Sequence, residues 1–192
     1  MSKKTLKVGF DLDGVILYNP IRIFRPIASF LKPFFFKKKK NSNKSFYFPH
    51  SRLEKILWRI LHKTSFAPAK GLGLIKQLSN DNKIETYIIT GRYKFLEKDF
   101  VKWLEVIKAK TFVKKSIFNI ENKQPHIFKE EMIKKLGLDI FVEDNWGIVK
   151  YLSKRPLKTK ILWINNIFDK GIDYKHKFAS LKKTVEYIKS LF

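Results

Sequence analysis

Two aspartates, Asp11 and Asp13, close an apolar segment and are followed by Gly14. Residues i and i+2 of a strand share a face, so a strand ending at Asp11 aims both carboxylates at one place. Gly14 is free to take the sharp turn beyond them. Carboxylates that close repel each other unless a cation or a shared proton relieves them, which points to a divalent-metal site. Two further apolar segments also end in residues with useful chemistry: Thr90 after residues 84–89, and Glu143-Asp144 after residues 139–142. Each alone has an ordinary reading. Asp11 and Asp13 suit a surface Asx turn, Thr90 a plain strand end, and Glu143-Asp144 a helix N-cap. Their shared position, each at the end of a strand, is what gives them weight.

The elements that must hold these residues follow from pattern. Residues 6–10 read as a short buried strand. Leu72, Ile75 and Leu78 mark a helix closed by the Ser79-Asn80-Asp81-Asn82 turn. Residues 84–90 form a strand, and Gly91-Arg92 turns into a helix that buries Leu96, Phe100, Trp103 and Ile107. A short strand is expected within 112–118. A helix over 129–136 ends at Gly137. Residues 160–165 are one more strand, and Leu181, Val185, Ile188 and Phe192 stripe a final helix, with Trp163 in the core. Strands alternating with helices predict an α/β fold, a parallel sheet flanked by helices. In such sheets the ligand lies beyond the carboxyl ends of the strands, where the acids and Thr90 would meet.

Residues 19–67 break this rhythm. They hold twelve basic residues and one acid, Glu54, with ten aromatics interleaved and Pro20, Pro26, Pro33 and Pro49 dividing them. Residues 37–45 read as a polar loop. One helix is well specified: Ser51-Arg52-Leu53-Glu54 is a capping box, and Leu53, Ile56, Leu57, Ile60 and Leu61 form a stripe at helical spacing. Arg52, Lys55, Arg59 and Lys63 lie on the other face. This stretch is expected to be a small, mainly helical cap over the site.

At 192 residues the chain suffices for one core with an insert. It has no cysteine, which excludes disulfides, cysteine zinc ligands and a thiol nucleophile. His50, His62, His126 and His176 are scattered without metal-ligand spacing and read as surface or loop residues. No apolar run is long and uninterrupted enough for a transmembrane helix, and the N-terminus lacks a signal-peptide core, so a cytoplasmic location is expected. The formal net charge of +24 attracts polyanions, anionic membranes or phosphorylated substrates. Equally, lysine is spread along most of the chain, as a compositional bias that keeps a surface solvated.

The motifs have a recognisable order. Asp11-Leu12-Asp13-Gly14-Val15 resembles motif I of the haloacid dehalogenase (HAD) superfamily of phosphohydrolases, and Ile88-Ile89-Thr90-Gly91-Arg92 its motif II. Lys129 is similar to motif III, and Phe141-Val142-Glu143-Asp144-Asn145 to motif IV. The Thr-Gly-Arg form and the spacing from Lys129 to Glu143-Asp144 look most like the 5′-nucleotidase-like branch. An insert between motifs I and II is where that superfamily places its C1 cap. The resemblance implies a Rossmann-like HAD core over residues 1–18 and 68–192, with 19–67 as the cap.

It also implies roles. Asp11 would be the nucleophile, forming an aspartyl-phosphate, and Asp13 the general acid and then base. Mg²⁺ would be held by Asp11, the backbone carbonyl of Asp13 and Asp144, with Glu143 the alternative acid or a ligand through water. Thr90 and Gly91 would bind phosphoryl oxygens, and Lys129 would neutralise charge, with Lys134 and Lys135 as nearby alternatives. Arg92 would contact the substrate or cap the following helix. The implied function is Mg²⁺-dependent hydrolysis of a small phosphomonoester. The alternative is a HAD-fold protein that binds nucleic acid or an anionic membrane through its basic cap, or a phosphatase acting on nucleic-acid ends. A third reading of the cap has its phenylalanines packing onto the core and its lysines solvated.

Overall fold

The computed structural model describes residues 5–20 and 46–192. The centre is a six-stranded sheet in the order β5-β4-β1-β6-β7-β8, with every pairing parallel. Its strands are β1 (Leu6–Phe10), β4 (Ile84–Tyr93), β5 (Val113–Asn119), β6 (Ile140–Glu143), β7 (Lys160–Ile164) and β8 (Lys177–Phe178). A separate antiparallel pair, β2 (Leu17–Tyr18) and β3 (Ala67–Pro68), joins the insert to the core. Among the described residues the α-helices are α1 (Arg52–Lys63), α2 (Leu72–Asn80), α3 (Glu97–Val106), α4 (Pro125–Leu136), α5 (Trp146–Leu152) and α6 (Leu181–Lys189).

Alternation along the central strands feeds two apolar layers. Val8, Phe10, Ile88, Ile140, Val142, Leu162 and Ile164 face α2, α3 and α6, packing on Leu72, Ile75, Phe100, Val185 and Ile188. Tyr87, Ile89, Phe141, Ile161 and Trp163 face α4 and α5, packing on Phe128, Ile133, Ile148 and Leu152. Each fully buried aliphatic or aromatic side chain contributes about 1.5–3 kcal/mol against exposure. Trp163 is fully buried, whereas Trp103 is half-buried against the first layer.

Three expectations shift. The strand predicted over 84–90 continues to Tyr93, because the chain bulges: Thr90 pairs with Phe118 and Tyr93 with the next residue, Asn119. Gly91 and Arg92 are thus extra residues in the ladder, and the following helix starts only after a short 3₁₀ turn at 94–96. Helix α4 starts earlier than predicted, at Pro125, where a missing N–H costs nothing. Strand β8 was not foreseen, and helix α5 only through the ordinary reading of Glu143-Asp144 as an N-cap. Both are short, and the N-cap of α5 is Asn145, whose side chain accepts from the Gly147 amide.

Of the insert, residues 21–45 lie outside the described residues, and with them the predicted polar loop. The capping box of α1 is formed as expected, with the Ser51 hydroxyl on the Glu54 amide and the Glu54 carboxylate on the Ser51 amide. The stripe is not where such stripes usually go. Leu53, Ile56, Leu57, Ile60 and Leu61 are all exposed, while Glu54, Lys55, Trp58 and His62 are half-buried. No helix among the described residues is long and apolar enough to cross a membrane.

Candidate active site

Strand order places β1 between β4 and β6, and the chain runs outward from β1 in both directions, so a crevice opens at the carboxyl end of β1. Asp11 is the first residue beyond β1, and its amide donates to the Val142 carbonyl. The chain then curls: Leu17 N–H bonds back to Leu12 O and Gly14 N–H to Leu17 O. Gly14 sits at φ +80°, a conformation that disfavours other residues and lets the turn close. The same turn leads into β2 at Leu17.

On the β6 side, Asp11, Glu143 and Asp144 each bring one carboxylate oxygen within 4.8 Å of the others, all buried. Lys129, on α4 and itself buried, sets its Nζ 3.0 Å from Asp11 Oδ2 and 2.6 Å from Glu143 Oε2. The second Glu143 oxygen accepts from the Asp144 and Asn145 amides. Trp163 donates its indole N–H to the Asp144 carbonyl, pinning the backbone from β7. Lys134 pairs with Glu130 near the surface rather than with the site.

These groups shift one another. Burial pushes the Asp11 carboxyl well above its ordinary range, and the negative charges of Glu143, Asp144 and Asp13 add to this while Lys129 opposes it. Burial likewise raises Glu143. Burial alone would lower the Lys129 ammonium, but Asp11 and Glu143 outweigh it and hold Lys129 above the ordinary lysine range. With all three carboxylates ionised against the one Lys129 ammonium, two negative charges would be left in a buried place, which is what burial resists by raising Asp11 and Glu143. A divalent cation cancels that charge, and an all-oxygen donor set suits Mg²⁺.

Asp13 is held differently. Arg92 grips it in a fork, Nε to Oδ2 at 2.7 Å and Nη2 to Oδ1 at 2.7 Å, and Ser65 Oγ donates to Oδ1 at 2.9 Å. Burial alone would raise the Asp13 carboxyl, but the Arg92 charge and hydrogen bonds, with help from His62 and Ser65, hold it well below the usual range. The bulge in β4 is what turns Arg92 inward to this pair. Its third nitrogen, Nη1, is buried without a hydrogen-bond partner among the described residues. Thr90 is buried beside it and its hydroxyl accepts from the Arg92 amide at 3.3 Å. At Gly91 a Cβ would meet Pro125 Cβ at 2.9 Å, so only glycine allows the bulge to approach the start of α4 this closely.

The structure therefore brings together Asp11, Asp13, Arg92, Lys129, Glu143 and Asp144, with Thr90 and Gly91 alongside. Sequence reading missed Ser65, Asn19, Thr64 and His62. Thr64 Oγ1 donates to Asn19 Oδ1, Asn19 Nδ2 to Ser65 Oγ, and Ser65 to Asp13, a relay from the end of α1 to the site. None of these four carries a motif; the only signal was their place at the two ends of the insert. Arg92 does not cap the helix that follows: two of its donors are held by Asp13.

No family model matches the chain, and no curated protein matches it. Solved structures do. A protein of Bacillus subtilis, YfnB, assigned as a HAD-hydrolase and bound to magnesium, superposes with a TM-score of 0.63 at 14% identity, covering 97% of this chain and 100% of that one. A Thermotoga maritima protein assigned as a beta-phosphoglucomutase gives 0.59 at 10% identity over 98% and 100%. CbbY from Rhodobacter sphaeroides in complex with phosphate gives 0.55 at 10% identity over 94% and 96%. The chain thus shares the fold of these proteins, the α/β Rossmann-like HAD fold.

Proposed function

We propose that the protein is a Mg²⁺-dependent phosphomonoester hydrolase working through an aspartyl-phosphate on Asp11. The observation that carries this is the buried constellation at the end of β1: a carboxylate nucleophile beside a lysine, backed by two further acids with a divalent deficit of charge. The phosphate in CbbY and the magnesium in YfnB, on the same fold, support the reading.

Asp11 Oδ attacks phosphorus, the bond to the leaving oxygen breaks, and Asp13 supplies that oxygen with a proton. Water, giving its proton to Asp13, then attacks the aspartyl-phosphate and releases inorganic phosphate. Asp11 and Asp144 would hold the metal directly, with the Asp13 carbonyl. Both Glu143 oxygens are already engaged, one by Lys129 and one by two amides, which favours Asp144 over Glu143 as ligand. When bound, the ion relieves the repulsion among these acids and offsets charge on the phosphoryl oxygens. Lys129 does the same from the α4 side. Thr90 Oγ, the Gly91 amide and Arg92 Nη1 would receive the remaining phosphoryl oxygens.

The Arg92 fork favours the ionised form of Asp13, which suits it to act as a base. To act as an acid it must acquire a proton, and an arriving phosphate helps by offering Arg92 a competing anion. The Thr90-Gly91-Arg92 form favours a 5′-nucleotidase-like substrate, with the 19–67 insert as a C1-type cap. A screen of nucleotides, sugar phosphates and end-phosphorylated oligonucleotides with Mg²⁺ should find hydrolysis, and Asp11→Asn should abolish it with the fold intact. Full activity in that variant would overturn the mechanism.

A further inference from the structure

Helix α1 is mounted the wrong way round for a cap that only packs on its core. Successive helical residues turn by about 100°, which puts Leu53, Ile56, Leu57, Ile60 and Leu61 within one arc of about 140°. That arc faces solvent, with exposures of 68%, 50%, 53%, 54% and 41%. The opposite side, with Lys55, Trp58 and His62, is the half-buried one. The helix is anchored from that side: Trp58 lies against Tyr47, and Thr64, just past its end, donates to Asn19 Oδ1. Nearby, Arg59 reaches the Phe95 carbonyl, and Phe48 packs edge-to-face on Tyr93.

Charge distinguishes the candidate occupants. Arg52 and Lys63 border the apolar arc, Arg59 comes next, and all three are exposed. The single acid of residues 19–67, Glu54, has its carboxylate turned onto the His50 and Ser51 amides. A second copy docking by a two-fold axis would set this basic border against itself with no free acid to meet it. A nucleic acid would match the charge but leave five aliphatic side chains uncovered, since bases stack on aromatic rings. An anionic lipid surface satisfies both: aliphatics enter the acyl boundary while arginine and lysine reach the headgroups.

We propose that the outer face of α1 docks the protein on anionic phospholipid membranes, the helix lying in the interface. At 12 residues it is a surface helix and not a span. This goes beyond the hydrolase reading and does not depend on it. The arrangement sets one side of α1 on lipid and the other side toward Asp13.

The test is flotation of the full chain with vesicles of phosphatidylcholine, with and without phosphatidylserine. Binding is expected only with phosphatidylserine, weakening as salt is raised. Ile56→Gln with Ile60→Gln should weaken it about tenfold or more while circular dichroism stays unchanged, because both side chains are exposed. Arg52→Gln with Lys63→Gln should weaken it also. No binding at low salt overturns the proposal. So does binding that ignores the two isoleucines, which would assign the contact to diffuse lysine charge. Concentration-dependent dimerisation lost in the isoleucine variant assigns the face to a second copy, and oligonucleotide binding lost in that variant assigns it to nucleic acid; either result, without vesicle binding, also refutes it.

Discussion

Lys129 is the residue on which the buried charges balance. Removing one partner of a buried ion pair leaves the others uncompensated, at a cost of about 3–5 kcal/mol. Lys129→Met should therefore lower stability by that order in chemical denaturation, with the fold retained at low denaturant. Adding Glu143→Gln should return part of the loss, because one of the stranded carboxylates is then neutral. If the double variant is no better than the single, Lys129 stabilises through its ammonium over the Phe141 ring and not through the Glu143 carboxylate. Asp11, Asp13, Thr90 and Asp144 were legible because each stands at or just beyond a strand end with a residue type its chemistry requires, whereas Lys129, a full turn into α4, was legible only through the resemblance. The Ser65-to-Asp13 bond was not legible: it joins positions 52 residues apart, and a lone serine has no periodicity to betray it. Arg92 was legible as important but not as the partner of Asp13, since a bulge in a ladder leaves no mark in a single sequence.

Among the elements, α1 holds its start through Glu54. That carboxylate accepts from the Ser51 amide, the Tyr47 hydroxyl and the His50 amide, and these bonds hold its pKa down at about 2 against an ordinary 4.5. A group depressed on folding stabilises above its unfolded pKa, and that contribution is lost as pH falls through its folded value. The start of α1 should accordingly loosen as pH drops from about 4.5 to 2, seen in the Ser51 and Glu54 amide resonances. Glu54→Gln should remove that dependence, and an unchanged titration in this variant would assign it to another acid. The capping box was readable because it is local, four residues end to end. The direction α1 faces was not, because amphipathicity tells which side is apolar and not whether the apolar side is turned inward. The β2–β3 pair was missed for a related reason: two-residue strands carry too little pattern to be seen before their partner is known.

For the whole molecule, the acids at the sheet switch point predict a dependence of stability on Mg²⁺. A ligand that binds only the folded state at a hundredfold excess over its Kd adds roughly 2.7 kcal/mol. For a chain of this size that is a rise in Tm of about 5–10 °C. Mg²⁺ should raise Tm and EDTA reverse it, and Asp144→Asn should remove the effect. A metal-induced rise that survives Asp144→Asn would place the ion elsewhere. The sheet itself was the most legible feature of the chain, since alternating apolar strands and helices leave few ways to cover both faces.

The β2–β3 pair has a further meaning. Because Leu17 pairs with Pro68, the chain leaves the core and comes back at one doorway, and everything between is a detour the sheet does not need in order to close. Such a detour is free to diverge in length and sequence without disturbing the phosphate chemistry, with one restriction. The residues at the doorway, Asn19 and Ser65, reach Asp13 through hydrogen bonds. In the proposed hydrolase, any substitute insert that omits them would keep Asp11 as nucleophile and alter Asp13 as proton donor, so turnover and recognition would be inherited separately except at this threshold.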